Sequence, residues 1–111
     1  MKTIEFLQSR ASRMSERDFQ SQVVTLARAL GWHVAHTFDS RRSQAGFPDL
    51  CLLHLESGRL MFRELKRQDG RLRPEQSEWL ASALRGGHDV AVWRPSDLVS
   101  RRIERELRVR V

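Results

Sequence analysis

The chain has one cysteine, Cys51, only two lysines, and no apolar run long enough to cross a bilayer. Each shortage excludes something. A single cysteine cannot close an internal disulfide, and Cys51, set inside an apolar run, reads as a small buried hydrophobe suited to a reducing, cytoplasmic setting. No transmembrane span is expected, and Met1 to Met14 lacks the apolar core of a signal peptide; the partner expected is nucleic acid and no membrane. His33, His36, His54 and His88 have no zinc-ligand spacing, and Cys51 does not complete one. There is no glycine-rich phosphate loop, which argues against an ATP-driven motor or a bound nucleotide cofactor. Internal repeats, low-complexity stretches and linkers are missing too.

What is present is charge. The 111 residues carry 20 basic and 14 acidic side chains, a formal net charge of +6 and a pI near 11.1. That balance favours a polyanionic partner, nucleic acid first and an anionic membrane surface second. With 40% apolar and 31% charged residues the chain reads as one globular domain. Eighteen of the basic residues are arginines, and only Lys2 and Lys66 are lysines. Arginine forks onto phosphates, whereas lysine is a compact donor whose pKa moves readily with burial.

Hydrophobic spacing lays out the elements. Residues 1–14 are weakly patterned, an N-terminal arm or a short helix through Ile4, Phe6 and Leu7, and residues 15–111 form the main domain. Ser15 and Asp18 make a box-like helix start. Phe19, Val23, Leu26, Ala27 and Leu30 follow at helical spacing, and Gly31 stops the run. Trp32 to Phe38 predicts a strand, and 39–46 a polar loop. Leu50 to Leu55 is continuously apolar, as for a strand covered on both faces. Residues 56–59 form a turn, and Leu60 to Lys66 return. Pro74 opens a helix that buries Trp79, Leu80, Ala83 and Leu84 and stops at Gly86-Gly87. His88 to Trp93 is a further strand, and Ser96 caps a final basic helix through Leu98, Ile103 and Leu107. The order α-β-β-β-α-β-α predicts an α/β fold, a mixed β-sheet flanked by helices.

The chemistry gathers at Gly46-Phe47-Pro48-Asp49 and, one hairpin later, Glu64-Leu65-Lys66. Two carboxylates and an ammonium on neighbouring strands are what a metal-dependent phosphodiesterase needs. Pro48 keeps Phe47 extended, and Gly46 permits a close approach. Taken alone, Asp49 is a turn aspartate. Glu64 and Lys66 are two apart on a strand and share a face with Phe62, so they sit side by side on a covered face unless they form a solvent-facing ion pair. Glu16 lies three positions before Phe19, and Gln76 three before Trp79. Each is a polar group in a first helical turn that heads an apolar stripe and aims inward. For Glu16 the plain reading is a glutamate that stabilises the helix dipole; for Gln76 it is ordinary helix-start polarity.

The set Glu16, Gly46-Phe47-Pro48-Asp49, Glu64-Leu65-Lys66 and Gln76 resembles the PD-(D/E)XK nuclease superfamily, and within it the small stand-alone VRR-NUC domains of phages and bacteria. The likeness runs from about Ser15 to Leu98. It implies a restriction-endonuclease-like core and a metal-dependent DNA endonuclease selective for branched DNA or Holliday junctions, working as a homodimer. It further implies that Asp49, Glu64 and the Leu65 carbonyl ligate Mg²⁺ or Mn²⁺. Lys66 then orients the attacking water and offsets developing charge. Glu16 corresponds to the first-helix acid and binds metal through water, and Gln76 positions Lys66 or a phosphate. Two positions depart from the pattern: Arg63 stands where an apolar residue is usual, so its face is less buried or lies against a partner, and Arg73 stands where a Ser or Thr cap is commoner.

Around this set, Arg41, Arg42, Ser43 and Gln44 read as a phosphate clamp or a solvated loop. Arg67, Arg71 and Arg73 extend the basic surface for DNA. Arg101, Arg102, Arg105, Arg108 and Arg110 read as a solvated helix face, and Trp79 and Trp93 as core. The alternative function is a non-catalytic nucleic-acid-binding accessory module on a nuclease-like fold.

Overall fold

A computed structural model describes residues 2–37 and 45–108. Its elements in chain order are α1 (Lys2–Arg13), α2 (Glu16–Ala29), β1 (Trp32–His36), β2 (Leu50–His54), β3 (Leu60–Leu65), α3 (Pro74–Arg85), β4 (Val90–Trp93), α4 (Pro95–Val99) and α5 (Arg102–Leu107). The N-terminal stretch is thus a helix, packed on α4, with Ile4, Phe6 and Leu7 exposed. Ser15 caps α2 as the pattern predicts, its hydroxyl accepting the Asp18 N–H at 3.1 Å.

The four strands form one sheet in the order β1-β2-β3-β4. The β1–β2 and β2–β3 pairs are antiparallel. Strands β3 and β4 are parallel, so the chain must cross over between them, and α3 is that crossover. The sheet is therefore mixed and flanked by helices. Alternation sends Trp32, Leu50, Leu52, Met61, Leu65 and Trp93 to one face. There they meet Phe19, Val23 and Ala27 of α2 and Ile103 and Leu107 of α5. Burying each large side chain contributes roughly 1.5–3 kcal/mol. The two indoles also find partners: Trp32 Nε1 donates to the Leu107 carbonyl at 2.7 Å, and Trp93 Nε1 to Glu106 Oε1 at 3.0 Å.

Three expectations are corrected. Strand β2 is fully covered on one face only: Leu50 and Leu52 are buried, whereas Cys51 and Leu53 are half-buried and Leu55 lies exposed in the turn. The reason is that α3 lies over the β3–β4 side of that second face. Leu84, at the far end of α3, is 62% exposed rather than buried. The final helix is two helices, broken at Arg101, whose φ of 63° is left-handed. It starts at Pro95 rather than after a Ser96 cap; Asp97 Oδ2 accepts the Arg94 N–H at 2.7 Å.

Candidate active site

The β2–β3 hairpin brings the two carboxylates together. Its register pairs Leu53 with Leu60, Leu52 with Met61, Cys51 with Phe62 and Leu50 with Arg63. One step further, Asp49 falls directly across from Glu64. A slip of one residue would send one of the two side chains to the other face. The backbone ladder is replaced there by side-chain bonds in both directions. The Asp49 N–H donates to Glu64 Oε1 at 3.1 Å, and the Leu65 N–H donates to Asp49 Oδ2 at 2.9 Å. Leu65 is extended, so its carbonyl lies on the same strand edge as its N–H, the edge that faces Asp49.

Helix α3 completes the site from above. Gly46 has a φ of +89°, and a Cβ there would run into the Glu75 carbonyl oxygen. Glycine alone lets the 46–49 segment lie against the first turn of α3. That turn carries Gln76, which is 5% exposed. Gln76 Nε2 donates to Glu64 Oε2 at 2.7 Å, and its Oε1 accepts the Arg73 N–H at 2.9 Å. Gln76 is thus aimed inward as expected, and the group it holds is Glu64. Arg73 makes no side-chain cap, so only the Gln76 half of a capping box is made here, while the Gln76 N–H, which a Ser or Thr would have accepted, donates to the Arg73 carbonyl at 3.0 Å. Phe47, Phe62 and Trp79 pack edge-to-face beside the site, with ring centroids 5.4 to 6.0 Å apart.

Electrostatics follow from this enclosure. Glu64 is 1% exposed. Burial, and next the negative charge of Asp49, push its carboxyl up to about 7 from an ordinary 4.5, against the pull of Lys66. Lys66 Nζ stands 3.5 Å from Glu64 Oε2. Two facing carboxylates with one ammonium leave an arrangement that a further cation would relieve. The donors are all hard oxygens (Asp49, Glu64 and the Leu65 carbonyl), which fits Mg²⁺ or Mn²⁺ and not a soft metal.

Not every residue singled out from the sequence joins them. Glu16 is exposed, the first residue of α2. It shares the stripe of Phe19, but it lies where the helix has already run past the core. No group of three or more His, Cys, Asp or Glu side chains suited to a metal occurs among the described residues. The exposure of Glu16 corrects the inward aim expected for it. Arg41, Arg42, Ser43 and Gln44 lie outside the described residues. Arg67, Arg71 and Arg73 are exposed on the segment leaving β3; Arg67 lies 3.7 Å from Asp69 and Arg73 lies 3.4 Å from Glu75.

Arg63 is the feature the sequence misplaced. Its side chain is 3% exposed, so its face is not the less buried one. Its partners are within the chain: Asp89 Oδ1 at 2.8 Å and Glu106 Oε1 at 3.0 Å, with the guanidinium over the Trp93 ring. It fixes the strand that carries Glu64 from the opposite face. The signal was the pair of acids, Asp89 and Glu106, each far away in sequence.

The profile of the VRR-NUC domain matches residues 3–97. Over 59 residues the chain is 36% identical to the Fanconi-associated nuclease 1 homolog of Schizosaccharomyces pombe, a stretch covering 53% of this chain and 8% of that protein. The chain therefore spans less than a tenth of that relative's length. A solved structure described as a VRR_NUC domain is 27% identical and superposes with a TM-score of 0.59, covering 76% of this chain and 92% of that one. A matching profile over most of the chain and a matching fold place this chain in the VRR-NUC domain family.

Proposed function

We propose that the chain is a Mg²⁺- or Mn²⁺-dependent DNA endonuclease that hydrolyses phosphodiester bonds, with a preference for branched DNA. The observation that carries this reading is the buried Glu64 carboxylate, held at once by the Asp49 N–H, the Gln76 amide and the Lys66 ammonium. Asp49, Glu64 and the Leu65 carbonyl would hold the cation, which when bound supplies Lewis-acid activation of the phosphate and of water.

The chain's own groups do the rest. Gln76 fixes the orientation of the Glu64 carboxylate. Lys66 is half-buried at the rim of the site, where its N–H donors orient a water and offset negative charge growing on the phosphate. Arg67, Arg71 and Arg73 contact backbone phosphates, and Arg41, Arg42, Ser43 and Gln44, which precede Asp49 in the sequence, are further candidates for DNA contact. One small domain covers little DNA, and a symmetric junction offers two equivalent strands, so the working form is a homodimer. A reducing, cytoplasmic setting suits the free thiol of Cys51.

The test is a cleavage panel of four-way junctions, flaps, nicked and plain duplexes with Mg²⁺, Mn²⁺ and EDTA, alongside Asp49→Ala and Lys66→Ala. Cutting is expected with either metal, none in EDTA, and near-complete loss in both variants. Variants that stay folded and cut as well as the parent would end this mechanism. A folded parent that binds DNA and cuts nothing would instead be the binding module. Sedimentation at micromolar concentration that shows only monomer removes the dimer.

A further inference from the structure

Arg94 has no place in the site, yet it organises the segment that leaves it. It directly follows Trp93, whose carbonyl accepts the Lys66 N–H at 3.1 Å. From there its guanidinium turns under the β3–α3 connection. Nη1 donates to the Gly70 carbonyl at 2.6 Å and to the Arg67 carbonyl at 2.8 Å, with the Gln68 carbonyl at 3.5 Å. A second tie lies alongside: Gln68 Oε1 accepts the Ser96 N–H at 2.8 Å. Within the segment, the Gly70 N–H closes a turn onto the Arg67 carbonyl at 3.0 Å.

Carbonyls converging on one point repel one another unless a cation sits among them, and a fixed guanidinium does this with directed donors. Their convergence turns the other side of the segment outward, and that side carries the exposed Arg67, Arg71 and Arg73. These three lie between Lys66 and Gln76, so the ordered loop is continuous with the site at both ends. A loop ordered before binding loses less freedom when it meets a ligand.

Resting on the nuclease reading above, we propose that Arg94 is a positioning residue: it holds segment 67–73 in the shape that grips a DNA phosphate backbone. Its effect is on DNA affinity, and the chemical step at Asp49, Glu64 and Lys66 is left nearly unchanged.

The experiment measures DNA binding in EDTA across a salt series, and cleavage kinetics in Mn²⁺, for the full chain and for Arg94→Gln, Arg94→Lys, Gln68→Ala and Arg85→Gln. Arg85→Gln removes the same charge from the exposed end of α3 and controls for net charge. Arg94→Gln is expected to weaken binding roughly tenfold, to raise KM alike and to leave kcat within about threefold. Its salt slope falls as phosphate contacts are lost. Arg94→Lys recovers most of the affinity, because an ammonium still sits among the carbonyls. Gln68→Ala moves in the same direction as Arg94→Gln by less, and Arg85→Gln hardly moves.

Unchanged affinity and salt slope in folded Arg94→Gln overturns the proposal, as does a fall in kcat with KM constant. Should Arg94→Gln not fold, Gln68→Ala decides: normal affinity and slope there overturn the idea equally. The Arg94 role and the nuclease reading fail differently. A parent chain that binds DNA without cutting it, and loses that binding in Arg94→Gln, keeps the first and removes the second.

Discussion

Gln76 and Glu64 share a buried 2.7 Å hydrogen bond in which the amide Nε2 donates to the carboxylate Oε2. The other end of the amide accepts the Arg73 N–H, so the side chain has its oxygen and nitrogen fixed by what each faces. Gln76→Ala removes one of the few donors that a buried carboxylate has. Losses of such outer partners typically cost 10- to 100-fold in metal affinity or activity. A metal titration of the cleavage rate should show a higher half-saturating Mn²⁺ concentration; Gln76→Glu, which adds a third carboxylate, should do worse than alanine.

The metal-free protein should be most stable below neutral pH. The Glu64 carboxyl titrates near 7 when folded, against an ordinary 4.5. Between those values the folded chain keeps a proton that the unfolded chain has released, so stability falls as pH rises through this window. Glu106 acts oppositely. Burial alone would raise its pKa, but the Trp93 N–H, Arg102 and Arg63 outweigh it and lower it. Its contribution is present above the ordinary 4.5 and is lost as pH falls through the lowered value. Thermal melts in EDTA from pH 4 to 9 should therefore peak on the acid side of neutrality, and saturating Mg²⁺ should flatten the decline above it. A curve in EDTA that rises steadily from pH 5 to 8 would refute the assigned sign.

Asp49→Asn should separate stability from activity. An amide oxygen can still accept the Leu65 N–H, while the like charge facing Glu64 is gone. The variant should melt higher than the parent at pH 8 without metal, and should not cut DNA. Equal melting temperatures would mean that the two carboxylates do not repel as the geometry implies.

Gly46→Ala should damage both fold and function. The new Cβ meets the Glu75 carbonyl, and the left-handed φ disfavours any side chain. The expected cost is about 1–3 kcal/mol. Urea unfolding should read that loss, and residual cleavage by the folded fraction should be weaker because Asp49 and Gln76 are pushed apart.

Arg63→Met tests the support beneath the catalytic strand. It leaves Asp89 and Glu106 without their shared cation in a partly buried setting, a loss on the order of 3 kcal/mol. Since both acids keep some exposure and other partners, the effect should shrink in high salt. A methionine variant as stable as the parent would show that packing, not pairing, holds β3 to α5.

Local pattern alone determined much of this protein. The α2 stripe, the β2–β3 hairpin, the proline start of α3 and the strand near Trp93 are written in short-range spacing, because helix and strand periods are set by the backbone. The hairpin's near-symmetry also put Asp49 and Glu64 within reach of each other on paper. What the sequence could not decide depends on distant partners. Glu16 and Gln76 occupy equivalent places at the heads of their stripes, yet Gln76 is buried against Glu64 and Glu16 faces solvent, since only α3 begins over the site. Arg63 looks like a surface charge until Asp89 and Glu106 close around it from β4's approach and α5. The final helix looks continuous until Arg101 breaks it, bringing Ile103 and Leu107 into the core. Burial of a charge is decided by which groups arrive from elsewhere in the chain to replace its water, and that is a property of tertiary packing that no local window contains.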